Sequence, residues 1–173
     1  MSARISCAQW SFQCFSIPNS FPAMLKLSTS SNSTSLAWTD PHSLISEKAR
    51  VFLYFARVVD EIDDEYRYIG KTKYGQWRLG GYRNNIERIF NGLPRRTTRG
   101  QEKYRAVHLA LAKACKHGWR YEFNPLEKVG LSELNEAEKR HISQLRSNLN
   151  GARLWSVEQF GTLSICDLTV LTC

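Results

Sequence analysis

What the chain lacks excludes several large classes of protein. No apolar run in its 173 residues approaches the roughly 20 that a membrane-spanning helix needs, so a membrane partner is not expected. Its five cysteines (Cys7, Cys14, Cys115, Cys166, Cys173) never stand two residues apart, which leaves neither a zinc knuckle nor a redox pair. An odd, scattered set of this kind reads as reduced thiols in a cytoplasmic protein. No continuous apolar stretch follows the start MSARISCAQW, which argues against a secretory signal. The acidic run DEIDDE (60–65) lacks the alternating ligands and central glycine of a calcium loop. A hairpin turn held in solvent is the better reading. Acidic residues are also missing from YRYIGKTKYGQWRLGGYR (66–83), which holds four tyrosines and three arginines.

Positive charge is what the chain has in excess. The formal net charge is +8, and it is concentrated: residues 66–120 carry fourteen Lys or Arg against two acids, Glu87 and Glu102. So uneven a distribution presents one basic face, which suits a polyanionic partner such as nucleic acid or an anionic membrane surface. The competing reading is a solvated basic surface kept for solubility.

The length suits one domain with a real core and is short for two. Eleven serines fall in the first 45 residues, and STSSNSTS (28–35) is low in complexity. Residues 1–47 therefore read as a disordered or loosely docked leader. Residues 48–157 form the body, and 158–173 an apolar tail that adds a strand or docks on it. ARVFLYFARVV (49–59) is apolar on both faces, as a strand covered on both sides would be. YRYIGKT (66–72) resumes as a second strand, and a short polar link makes the pair a hairpin. A link centred near Glu61 sets Tyr54 opposite Tyr68, on one sheet face.

Helical spacing of Leu79, Tyr82, Ile86 and Phe90 predicts a helix over 76–92, ended by Gly92 and Pro94. Gly80 and Gly81 mark a fraying first turn or close packing on the sheet. LPRRTTRG (93–100) is a basic loop. A second helix is expected from Glu102 to His117, burying Tyr104, Val107, Leu111 and Ala114, with Gly118 as its cap. WRYEFNPLEKV (119–129) alternates as a third strand. A third helix over 133–149 carries Ile142, Leu145 and Leu149 inward. The expected fold is α/β of the α+β kind: a small three-stranded antiparallel sheet flanked by helices.

Against this framework one ordered set of residues resembles the GIY-YIG nuclease family. Phe52-Leu53-Tyr54 precedes Tyr68-Ile69-Gly70, and Arg78 follows ten positions after Tyr68. The succession RLGGYR resembles repair-nuclease members. EKRHI, from Glu138 to Ile142, resembles the family's glutamate segment, and SNLNG (147–151) its closing asparagine element, placed at Asn150. The first motif departs from the family in keeping only its tyrosine, and the link between the two tyrosines is longer than in compact members. The resemblance spans about residues 50–155 and implies a metal-dependent endonuclease acting on DNA, with RNA as the other polyanion that fits, as a monomer or homodimer.

In that reading Arg78 forks onto the phosphate being cut, because a guanidinium stays charged and binds two oxygens at once. Glu138 holds one Mg²⁺ (or Mn²⁺), an ion that needs few carboxylates. Tyr54 and Tyr68 orient or deprotonate the attacking water, the resemblance implying that role for Tyr54. A phenol of pKa about 10 needs positive charge nearby to act as a base, from Lys71 or the metal. Asn150 braces the site by hydrogen bonds. His108 assists proton transfer, contacts a phosphate, or packs as a core or edge histidine. Arg83, Arg95, Arg96, Arg99, Lys103 and Arg105 grip phosphates away from the cut. Each residue also has a plainer role: the tyrosines as a cross-strand pair, Arg78 as a surface arginine, Glu138 as the third helical position of a capping box begun by Asn135. A catalytically inactive basic binding module of the same fold is the alternative function, and a peripheral membrane or scaffold protein a third.

Overall fold

Eight residues of alternating β-branched, aromatic and small character form β1 (Phe52–Val59), the centre of the sheet. β2 (Glu65–Thr72) and β4 (Arg120–Lys128) flank it, both antiparallel, in the order β2-β1-β4. Between them in the chain come α1 (Arg78–Phe90), the two-residue β3 (Tyr104–Arg105) and α2 (Ala106–His117). After β4 come α3 (Leu134–Gln144) and β5 (Leu154–Trp155), which pairs with β3. The computed structural model describes residues 36–39, 51–97 and 100–169. Among the described residues the fold is therefore mixed α+β, with a three-stranded antiparallel sheet and three α-helices.

The sheet is covered on both faces. Even-numbered residues of β1 face α1 and α2, in a core with Tyr68, Tyr82, Val107, Leu111 and Phe123. Leu53 points the other way, onto Leu134 and Ala137 of α3. Trp38, from the serine-rich leader, closes the first face with edge contacts to Phe52, Tyr54 and Phe123 at 5.4, 5.4 and 5.9 Å. Aromatic pairs of this kind stabilise by about 0.5–1.5 kcal/mol each beyond their buried area. The backbone N–H of Thr39 donates to the carbonyl of Phe123 at 2.8 Å. Leu36–Thr39 thus docks on the body, and the remainder of the proposed leader lies outside the described residues. Among the described residues no helix is long and apolar enough to cross a membrane.

Several local expectations are corrected. The hairpin link centres on Ile62, so Tyr54 pairs with Gly70 and Tyr68 with Ala56. The cause lies in the turn: Asp63 takes a left-handed conformation (φ 64°), and the Asp60 carboxylate accepts from the N–H groups of Ile62 and Asp64. The slip is two residues, so both tyrosines still share a face. The turn acids find solvent-side partners, as a hairpin turn should: Asp63 pairs with Arg120 at 2.6 Å.

Helix α2 begins at Ala106, because Tyr104 and Arg105 are drawn into the β3–β5 pair. Phe90 is exposed and Ile89 takes the buried position in α1. Gly80 and Gly81 have open space where a Cβ would stand, so close packing on the sheet is not their reason. Helix α3 stops at Gln144, and its buried stripe is Leu134 and Ala137 rather than Ile142, Leu145 and Leu149. Its end is a Schellman turn: the N–H of Ser147 bonds to the carbonyl of Ile142 and that of Arg146 to Ser143, with Arg146 at φ 47°. The tail docks through Ile165 and Leu168 in short 3₁₀ turns, and adds no strand among the described residues.

Candidate active site

The site begins with an ordinary steric fact. The Tyr54 ring lies across the backbone of β2 so closely that a Cβ on Gly70 would stand 2.2 Å from its Cζ atom. Only glycine leaves that room, which explains why a Tyr-Ile-Gly step follows a strand carrying Tyr54. Tyr54 cannot retreat, being wholly buried and ringed by Phe52, Tyr68, Tyr82 and Phe123. We expect Gly70→Ala to cost about 3 kcal/mol or more, at the upper end for overpacked cores, read as a fall in the urea midpoint. In a Tyr54→Val background that added cost should fall below about 1 kcal/mol. An equal cost in both backgrounds would show that the ring is not the obstacle.

Tyr54 in turn fixes Arg78. The Nε–H of Arg78 donates to the Tyr54 hydroxyl oxygen at 3.0 Å, and the hydroxyls of Tyr54 and Tyr82 share a hydrogen bond of 2.8 Å. Tyr82 stands four residues after Arg78 in α1, so the guanidinium lies over its ring, 4.9 Å from the centroid. The terminal nitrogens of Arg78 have no acceptor among the described residues. The result is a guanidinium aimed by two buried phenols with its forked edge uncommitted. Burial and the neighbouring Tyr68 push the Tyr54 pKa up to about 12, against the opposing pull of Arg78 and Tyr82. Tyr54 is therefore a neutral brace. Lys71 does nothing to change this, since its side chain lies on the other face of β2.

His108 is corrected as well. It is 2% exposed, and its Nδ1 accepts the backbone N–H of Arg105 at 3.1 Å, capping α2. Its ring packs against Tyr82 and Tyr104. Burial, then the positive charges of Arg95, Arg78 and Arg105, hold its pKa well below the usual histidine range. A neutral core histidine neither reaches a phosphate nor carries a proton at neutral pH. A folded pKa below the unfolded value of about 6.5 means that this group contributes stability above that pH. The contribution fades as pH falls and the unfolded state takes up the proton first. Between pH 7 and pH 5 the wild type should lose more urea stability than His108→Gln, which keeps an acceptor for the cap. Parallel losses would refute the assignment.

The same three arginines that depress His108 form the positive side of the site. Among the described residues no carboxylate lies within ion-pair distance of Arg78, Arg83, Arg95, Arg96, Lys103 or Arg105, whereas Arg67, Lys71 and Arg120 are each paired. The loop that carries Arg95 and Arg96 is tied down by Arg88 and Tyr104, which donate to the carbonyls of Pro94 and Leu93. Burial and the charges of Arg105 and Arg78 lower the Arg95 pKa, the signature of cations crowded without a counter-ion. Arg99 lies outside the described residues.

A groove of about 380 Å³ runs past the free edge of β2, lined by Tyr68, Gln101, Arg105, Glu138, Leu149 and Asn150 among others. Glu138 has 19% of its side chain exposed and is held by Lys71, whose Nζ donates to it at 2.6 Å and to Asn135 Oδ1 at 2.7 Å. The capping box is not formed: Glu133 is the N-cap and makes no side-chain cap bond, while Asn135 serves Lys71. Asn150 does brace. Its amide both accepts from the N–H of Ile69 (2.8 Å) and donates to the Ile69 carbonyl (2.7 Å), and Asn148 does the same to Arg67 and Glu65. Two side-chain amides thus stand in for a missing strand on the edge of β2.

Tyr68, Glu138 and Asn150 therefore share one groove with Arg105, whereas Tyr54 and Arg78 are not among its lining residues, and the Tyr54 ring lies 6.4 Å from that of Tyr68. Lys71 joins through Glu138, and His108 is left in the core. Gln101 carries no signal in the sequence, while Tyr82 and Gly70, legible there as a helix-face residue and a motif glycine, gain their site roles only from the packing. The four-residue step from Arg78 was the available signal for Tyr82. Among the described residues no three His, Cys, Asp or Glu side chains gather as a metal cluster. A hydrated Mg²⁺ asks for less, one or two carboxylates together with substrate phosphate. Glu138 and Asn135, two hard oxygen donors already bridged by an ammonium, fit that demand. No protein-family model, curated protein or solved structure matches the chain.

Proposed function

We propose that the chain is a metal-dependent endonuclease of the GIY-YIG type, hydrolysing DNA phosphodiester bonds by single-step attack of water. The observation that carries this reading is Arg78, pinned at Nε by a buried tyrosine pair with its fork uncommitted beside Arg95 and Arg105. Phosphodiester hydrolysis requires lowering a barrier by about 8–23 kcal/mol, mostly through positioning and placed charge. Preorganised guanidinium groups are the means this chain has for it.

In this reading Arg78 holds two oxygens of the scissile phosphate. Tyr68, which reaches the groove, orients the attacking water, and Tyr54 aims Arg78. With a pKa near 12, Tyr54 is about 10⁻⁵ ionised at neutral pH, too little for it to act as the base. Glu138, with Asn135 beside it, would hold the Mg²⁺ or Mn²⁺, which supplies Lewis-acid stabilisation of the leaving oxygen. Lys71, displaced from Glu138, has its charge free for the substrate. Asn150 keeps Ile69 and Tyr68 in register. Arg83, Arg95, Arg96, Lys103 and Arg105 neutralise flanking phosphates, a contribution that weakens with salt.

The alternative, a basic binding module without catalysis, is favoured by one observation: the only acid in the groove is already paired with Lys71 among the described residues. Supercoiled plasmid separates the two. Nicking with Mg²⁺ that stops with EDTA is expected. Retained plasmid binding with no nicking at any divalent cation would leave the binding module as the function.

A further inference from the structure

Trp77 is 86% exposed, and Tyr74, three residues earlier, is 62% exposed. An indole in water needs a reason. Trp77 occupies the N-cap of α1, where Ser, Asp or Asn is preferred, and it makes no cap bond, so capping is not the reason. Packing is not the reason either. The residues three and four positions on, which share its helix face, are Gly80 and Gly81, each with open space at the Cβ position. The indole therefore stands beside a stretch of bare helix, with none of the described residues outside that helix within 4 Å of the two missing Cβ positions. By contrast the exposed Phe90 at least meets Phe160, at 6.3 Å.

The surroundings select the occupant. Lys73 holds its ammonium over the Tyr74 ring, 5.3 Å from the centroid, Arg78 is the next residue after Trp77, and Arg83 is exposed on the same helix. No acid occurs from residue 66 to residue 86. A second copy of the same surface would set like charges against each other, which opposes self-association. A flat, π-faced, anionic ligand satisfies both the aromatics and the charge. Aromatic side chains beside a basic track are how proteins hold unpaired bases, since every base offers a face to stack on.

We propose that Trp77, with Tyr74, forms a stacking ledge for an unpaired nucleobase next to the phosphate held by Arg78. The preferred substrate is then DNA with a single-stranded segment beside the cut, rather than plain duplex. This rests on the nuclease reading for the identity of the neighbouring phosphate, and deepens it by naming the substrate class.

The test measures binding alone, in EDTA, by fluorescence anisotropy of a labelled duplex bearing a single-stranded flap and of the same duplex without it. Trp77→Ala is expected to weaken flap binding about tenfold, as the loss of one stacked base does, while changing duplex binding less than about twofold. Trp77→Tyr should recover most of the loss. Gly81→Leu should raise the melting temperature, since it improves helix propensity, yet weaken flap binding by covering the ledge. A residue that merely supported the fold would not move the two readouts in opposite directions. Equal losses on both DNAs, no loss on either, or a change of sedimentation from dimer to monomer in Trp77→Ala would overturn the proposal. Because cutting is suppressed throughout, a protein that stacks flaps but never nicks plasmid sinks the nuclease reading and leaves the ledge standing. The reverse result sinks the ledge alone.

Discussion

Replacing Arg78 with alanine should lower plasmid nicking by about 10²–10³-fold, the size of loss seen when one preorganised donor to a developing negative charge is removed. The loss should exceed anything the fold suffers. Tyr54 keeps its bond to Tyr82, so stability falls by about one hydrogen bond to a charged group, roughly 1.5–3 kcal/mol. Melting curves therefore separate the two effects. Arg78→Lys is the sharper variant. It retains the charge but neither the fork nor the Nε donor that Tyr54 aims, and it should stay impaired by at least about tenfold. Full activity in Arg78→Lys would mean that a point charge suffices and that the buried tyrosine pair has no part in aiming it.

Glu138→Gln should abolish metal-dependent nicking altogether while the fold survives. The Lys71–Glu138 pair is partly exposed, with 38% and 19% of the side chains accessible, so its loss costs at most about 1 kcal/mol. A drop in melting temperature of a few degrees would accompany a complete loss of cutting. The variant should still bind DNA, and more tightly in EDTA, since removing a carboxylate frees Lys71 and makes the groove more positive. Binding of Mn²⁺, followed by its paramagnetic broadening of water relaxation, should weaken in parallel. Unchanged nicking by Glu138→Gln would remove the metal assignment and with it the single-step mechanism built around it.

The sheet was legible in the sequence because its signals are local. β-branched and aromatic runs bounded by an acidic turn gave both hairpin strands, and alternation gave β4. Register was less legible, because it depends on one left-handed aspartate and a side chain that caps the turn, and neither Asp60 nor Asp63 announces this from composition. The parity survived because side chains alternate every two residues and the slip was two. The third helix is shorter than its spacing predicts for a related reason: Leu145 and Leu149 continue that spacing, yet Arg146 turns left-handed and sends the chain to the edge of β2. Tyr104 fits a helical spacing in the sequence because a two-residue strand has no period to detect.

The site shows the same division. Asn150 as a hydrogen-bonding brace follows from the resemblance of SNLNG, whereas the bond from Arg78 to Tyr54 has no signal in the sequence and emerges only from the packing. That Lys71 serves Glu138 rather than Tyr54 depends on which face of β2 each residue occupies, and that is fixed only once the edge strand is placed. His108 could be read as polar and near a basic loop, but its burial is a property of the α2 packing. The acidity of the Tyr54 phenol likewise depends on the enclosure of its ring, which residue order does not reveal.

The two amides that clasp β2 have a chemical as well as a mechanical side. Asn150 is followed by Gly151, the neighbour that least hinders attack of an asparagine side chain by the next backbone nitrogen, and asparagine is among the thermolabile residues. In the native fold both ends of that amide are tethered to Ile69, so the side chain must give up two hydrogen bonds before it can rotate to cyclise. Unfolding releases the tether, and conversion to aspartate would then set a carboxylate against the Ile69 carbonyl where a donor is required. Time spent unfolded therefore accumulates molecules that can no longer close this edge, giving the protein an irreversible record of its own denaturation.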